Sequence, residues 1–135
     1  RWQALRGHWL NAGYSRVRGE NNALNEPLFQ MPTDELSFGW EGALAQGWTA
    51  DARLRLMRRQ DRVATVFARG TENTTPGFGT FDLGANWRYA KDQSLRIALK
   101  NLADKAYHEH LAEGVSGQEI RAPGRSLALT WQGKF

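Results

Sequence analysis

The chain has 135 residues, 24% of them charged, a formal net charge of +4 and no cysteine, which excludes a disulfide framework, a thiolate metal site and a Cys nucleophile. Mean hydropathy is −0.62, and no uninterrupted apolar run exceeds three residues, so no helix can cross a membrane. The basic residues are dispersed, and the densest patch, Arg53-Leu-Arg-Leu-Met-Arg-Arg59, alternates with apolar residues, so no nucleic-acid partner is expected.

Period-two alternation predicts an all-β antiparallel meander of about six strands. Residues 1–4 fit the stub of a further strand. Residues 9–17 set Leu10, Ala12 and Tyr14 against Asn11, Gly13 and Ser15. Residues 33–41 set Leu36, Phe38 and Trp40 against Ser37 and Glu41. Residues 47–59 set Trp48, Ala50, Ala52, Leu54 and Leu56 against Thr49, Asp51, Arg53 and Arg55. Residues 80–89 set Phe81, Leu83, Ala85, Trp87 and Tyr89 against Asp82, Asn86 and Arg88. Residues 94–102 place Leu95, Ile97 and Leu99 on one face. Residues 126–135 do the same with Leu127, Leu129, Trp131 and Phe135.

Connection lengths alternate as well. Residues 5–8, 42–47 and 90–93 are short links; residues 18–32, 60–79 and 101–125 are long ones. Short turns at one end and long loops at the other fit a transmembrane β-barrel of the bacterial outer membrane, with the short turns periplasmic. In that frame Trp2, Trp40, Trp48, Trp87, Tyr89 and Phe135 fall at one depth, as interface aromatics do. The polar face, with Arg53, Arg55, Arg96, Lys100 and Lys134 beside Glu41, Asp51 and Asp82, lines the lumen and fits ion pairing across the interior. Six strands are too few to close a barrel, because about eight are needed to leave an interior filled by side chains. Open edges cannot stand in lipid. The chain is therefore expected to be the C-terminal part of a longer barrel. A soluble or surface β-rich binding module and a small self-assembling porin are the alternatives. No Ser-His-Asp order and no phosphate loop is present, so no enzyme is expected.

Three groups of residues carry a family resemblance. Asn101-Leu-Ala-Asp-Lys-Ala-Tyr107 ends the fifth predicted strand, Pro123-Gly-Arg125 opens the last one, and Phe135 ends the chain. This tail resembles that of TonB-dependent outer-membrane receptors: Asn101, Leu102, Asp104 and Tyr107 match the first motif, and Pro123, Gly124 and Arg125 the second. Ala103 departs from the usual Phe. Arg18-Gly-Glu-Asn21, Pro27-Leu-Phe-Gln-Met-Pro32, Gln60-Asp-Arg-Val-Ala64 and Gly77-Phe-Gly79 most resemble the copper receptor branch.

The resemblance implies a barrel of about 22 strands of which residues 1–135 would supply roughly the last quarter, with the plug domain outside this chain. It implies TonB-dependent uptake of a metal, copper favoured, or of a metal chelate. The implied partners are outer-membrane lipid, the rest of the barrel and its plug, the TonB complex and the outer-membrane assembly machinery, the last reading the terminal strand and Phe135. No permanent cofactor is expected; a copper ion would be cargo. His108 and His110, two residues apart in an extended segment, could share a face and ligate it, and Met31 could add a thioether. The same residues also fit a solvated loop and ordinary packing.

Overall fold

The structure, a computed structural model, describes residues 1–66, 72–112 and 119–134. Its strands are β1 (Trp2–Leu5), β2 (His8–Ser15), β3 (Glu20–Asn21), β4 (Glu26–Pro27), β5 (Glu35–Ala45), β6 (Trp48–Met57), β7 (Phe78–Ala90), β8 (Gln93–Lys100) and β9 (Ser126–Gly133). A 3-10 turn covers His110–Ala112, and no α-helix occurs among the described residues. Seven strands form one antiparallel sheet in the order β1-β2-β5-β6-β7-β8-β9, while β3 and β4 make a small ribbon inside the first long connection.

The alternation placed the strands, and the structure adjusts their ends. The stub at residues 1–4 is a full hairpin partner of β2, so the sheet has seven strands. β5 runs on to Ala45, four residues past the expected end. β2 and β6 stop two residues early, at Ser15 and Met57. Hydrogen bonding rather than hydrophobicity decides these ends. The outer ends turn aside where loop backbone takes over as partner, and the inner ends continue to the turns.

Those inner turns share one design. Arg6-Gly7, Gln46-Gly47 and Lys91-Asp92 each join two strands, and each hairpin carries one register shift beside its turn. The second turn residue then accepts a hydrogen bond from the next strand over: Ala43 N to Gly7 O, Arg88 N to Gly47 O, and Lys134 N to Asp92 O, at 2.7–3.2 Å. Every hairpin is thus stepped against its neighbour in the same sense, the stagger that barrel closure requires. Gly47 has φ +76°, and a Cβ there would lie 2.5 Å from the Arg88 carbonyl, so only glycine fits.

The burial is inverted relative to a water-soluble sheet. Among the described residues only Ala64 and Phe78 are buried hydrophobics, and both lie at the long-loop end. On the outward face Leu127, Leu129 and Trp131 are 61%, 65% and 50% exposed. A soluble module would cover such a continuous apolar face or aggregate, whereas a membrane-facing wall leaves it bare for lipid.

Candidate functional site

The lumenal face is polar and paired. Asp51 on β6 meets Arg96 on β8 at 2.7 Å, although β7 runs between them. The bridge passes over Gly84, where a Cβ would come within 2.6–2.7 Å of both side chains. Gly84 is therefore a window that lets two strands exchange charge across a third. Arg55 pairs with Glu35 and Glu109, each at 3.1 Å. Arg1 pairs with Glu41 at 3.0 Å and lies 4.5 Å above the Trp9 ring. Glu41, Asp51, Arg53 and Arg96 line a lumenal trough of about 660 Å³.

The aromatics near the short turns interlock on the outward face. Trp48 and Trp87 stack at 5.4 Å, Trp87 tilts against Tyr89 at 5.4 Å, and Trp131 donates its indole N–H to the Tyr89 hydroxyl at 2.7 Å. Trp40 stacks on His8 at 5.9 Å. Trp40 and Trp131 obey one local rule. Each indole lies down over a glycine two residues further along, Gly42 and Gly133, whose Cβ would strike the ring at 2.4–2.5 Å. Trp131 and His8 were not among the interface residues expected from sequence; the Trp-x-Gly spacing was the available signal. Phe135 lies outside the described residues.

Residues 101–107 and 122–125 hold one another as a clasp. Asn101 is buried, at φ +49°. Its backbone N–H donates to Asp82 at 2.8 Å, and its side-chain amide donates to the Lys105 and Pro123 carbonyls and accepts from Lys105 N–H. Leu102 N–H donates to the Phe81 carbonyl at 2.8 Å. Asp104, at φ +53°, accepts from Arg125 N–H at 2.7 Å, and a Cβ on Gly124 would meet its carboxylate at 2.8 Å. Tyr107 stacks on Phe78 at 4.2 Å, and burial, followed by the charge of Glu109, raises its phenol above the ordinary value. The positions of the two C-terminal motifs named above thus meet where the chain leaves β8 and where it enters β9.

Above the clasp the three long loops meet in a polar knot. His110 and Glu72 have side chains only 1% exposed, with Nε2 3.0 Å from Oε1, close enough for charge but out of line for a hydrogen bond. His110 Nδ1 meets the Thr75 hydroxyl at 2.8 Å. Glu72 accepts from Gln30 N–H at 2.8 Å and Ala64 N–H at 2.9 Å. Gln60 pairs its backbone with Thr75 and donates its side-chain amide to the Met31 carbonyl at 2.7 Å. Glu26 accepts from the Thr65 hydroxyl and backbone, which holds its carboxyl below the ordinary range. Burial on this scale is tolerated because nearly every polar group has a partner.

The sequence pattern of the family described as TonB dependent receptor-like, beta-barrel, matches residues 2–102. The chain belongs to the TonB-dependent receptor family. Its members are transport receptors of the bacterial outer membrane rather than enzymes, so the sheet is part of a barrel wall. The structure is similar to that of the copper transporter OprC, with a TM-score of 0.88 and 25% identity over 99% of this chain and 22% of that one. It also resembles Pseudomonas aeruginosa FpvA, at TM-score 0.72 and 17% identity over 98% of this chain and 18% of that one. The ferric-catecholate import receptor Fiu of Escherichia coli gives 0.69 and 16% over 96% and 19%. The last two likenesses concern the fold alone. No curated protein matches the sequence. The chain spans about a fifth of the length of the receptors it matches.

Residues 18–21, 27–32, 60–64 and 77–79, singled out in the sequence, fall largely in the knot. Leu28 N–H donates to the Gly19 carbonyl. Gly19 leaves room for Leu28 and Met31, whose Sδ would touch a Cβ there at 3.0 Å, and Gln60 and Ala64 hold the second loop. A Cβ on Gly77 would press on Met57 O and Arg59 N at 2.9 Å. The three residues considered as metal ligands have other neighbours. His110 Nδ1 meets the Thr75 hydroxyl and its Nε2 faces Glu72. His108 lies 3.9 Å from Glu119, and Met31 packs on Gly19. Among the described residues no group of three or more His, Asp or Glu could hold a metal ion.

Proposed function

We propose that the complete protein is a TonB-dependent receptor that imports copper, or a metal chelate, across the outer membrane. Residues 1–135 would supply the last strands of the wall, three extracellular loops and the terminal strand read by the assembly machinery. The plug, which would occlude the lumen and engage TonB, would be supplied by the rest of the complete protein. The observation that carries the metal assignment is the likeness to OprC at 25% identity over 99% of the chain. The segments behind the copper-branch resemblance form the framework of the outer loops, so the likeness extends to the substrate-facing end of the barrel. His108 and Met31 are the candidate cargo contacts, with His110 committed to the knot.

The test is uptake by cells that carry or lack the intact receptor, under copper limitation. Cell-associated copper should fall when the receptor is absent, and His108→Ala in the full-length protein should lower uptake further than His8→Ala does. If uptake instead follows a ferric chelate, the metal assignment fails while the receptor family stands.

A further inference from the structure

We infer that Arg16, Arg18 and Arg58 form a phosphate clasp on the lipid-facing side of the extracellular rim, built for the phosphorylated glycolipid of the outer leaflet. The register defines the place. Tyr14, Leu36 and Leu56 are opposite one another across β2, β5 and β6, and form the uppermost apolar row of the outward face. One step further out, the same period brings Arg16, Asp34 and Arg58 into line. The ladder continues into that row, because Arg58 N–H donates to the Asp34 carbonyl at 2.9 Å.

Asp34 is the hub. Its side chain is only 6% exposed and takes Arg18 at 2.8 Å and Arg58 at 3.7 Å. The Arg58 side chain nonetheless remains 74% exposed, so the carboxylate orients this guanidinium without covering it. Arg16 is exposed and has no ionic partner among the described residues. Three guanidinium groups against one carboxylate leave a surplus of two positive charges. The adjacent Glu35 does not cancel it, since Arg55 holds that carboxylate on the lumenal side.

The setting selects the ligand. Directly beneath the arginines Tyr14 is 63% exposed, with Leu10, Leu36 and Leu56 also bare, so a molecule bound there meets acyl-chain surface below and guanidinium above. Guanidinium binds phosphate through paired N–H donors, and it is desolvated more readily than an ammonium. A lipid phosphate ester satisfies both halves; a free anion satisfies only the upper one.

The experiment uses the intact receptor in nanodiscs, with the double variant Arg16→Gln/Arg58→Gln. Arg59→Gln, one residue along and on the opposite face by period, is the control. The probes are bisphosphorylated lipopolysaccharide, its dephosphorylated form, and inorganic phosphate as competitor. Retention of the heat-modifiable barrel band on gels verifies folding. The double variant should bind the phosphorylated lipid about ten-fold more weakly or worse, Arg59→Gln should bind as the parent does, and dephosphorylation should produce a similar loss in the parent alone. Equal binding by parent and double variant overturns the clasp, as does an equal loss in Arg59→Gln. If millimolar inorganic phosphate displaces the lipid fully, the site is one for free anions and the lipid assignment fails. None of these outcomes depends on which metal is carried.

Discussion

Asn101 shows how much one side chain does at the end of a barrel strand. It adopts a left-handed backbone conformation that asparagine tolerates better than most residues, and its amide donates to the carbonyls of Lys105 and Pro123, tying the two ends of the connection together. Asn101→Ala removes those donors and keeps the unfavourable φ. A loss of about 1–3 kcal/mol is expected, from roughly 1 kcal/mol for each hydrogen bond removed. Urea unfolding of the intact receptor in lipid vesicles measures it, and a variant as stable as the parent would discard the clasp. Tyr107 gives a second measurement. Its phenol is raised above the ordinary value of about 10 by burial and then by Glu109. The folded state therefore holds the proton more tightly, and this contribution is full below the unfolded pKa and lost as pH rises through the folded one. An ultraviolet difference titration against Tyr107→Phe should place phenolate formation above the ordinary range. These motif residues were legible in the sequence as a family signature. Their individual tasks were not, because a hydrogen bond between positions 101 and 123 depends on where the fold returns the chain. For the same reason the contacts of His110 could not be foreseen: nothing in its neighbours along the chain announces Glu72 and Thr75.

At the scale of elements, alternation was nearly sufficient. Each expected strand is present with the expected face, since a one-residue slip would put Leu54 in the lumen and Arg55 in lipid. What alternation could not supply is the end of each strand. β5 continues through Gly42 to Ala45 because the staggered turn beyond it provides hydrogen bonds, and β6 gives way beyond the Arg58–Asp34 rung, where Gln60 turns to Thr75 of the loop. The face assignment has a direct test. Leu54 stands one row below the top of the outward face of β6, where an arginine meets lipid at some fraction of the roughly 2–4 kcal/mol it costs at the bilayer midplane. Arg55→Leu removes a lumenal cation that neutralises Glu35 and Glu109, a loss confined to the rim. Leu54→Arg should therefore reduce folding yield in lipid vesicles more than Arg55→Leu does. Equal yields would mean that the two faces have been exchanged.

Across the whole molecule, stability is divided by depth. The lower sheet depends on ladder bonds, lipid and stacked aromatics, whereas the upper end has the only buried hydrophobics among the described residues and is held by the knot. The knot draws its members from all three long loops, so they behave as one lid-like body rather than as three independent strings. Glu72 is the member to remove. It accepts from Gln30 N–H and Ala64 N–H and faces His110, so Glu72→Ala strands two backbone donors and an imidazole in a buried site. Glu72→Gln keeps the shape and at most one of those acceptors, and should lie between the parent and the alanine variant. Limited proteolysis of the intact receptor in outer-membrane vesicles reads the effect from the extracellular side. Cleavage within all three loops should accelerate together in Glu72→Ala, while the barrel remains heat-modifiable on gels. Because the loops share one hub, faster cutting of the second loop alone would show that they open independently, and an unchanged pattern would show that the knot does not hold them.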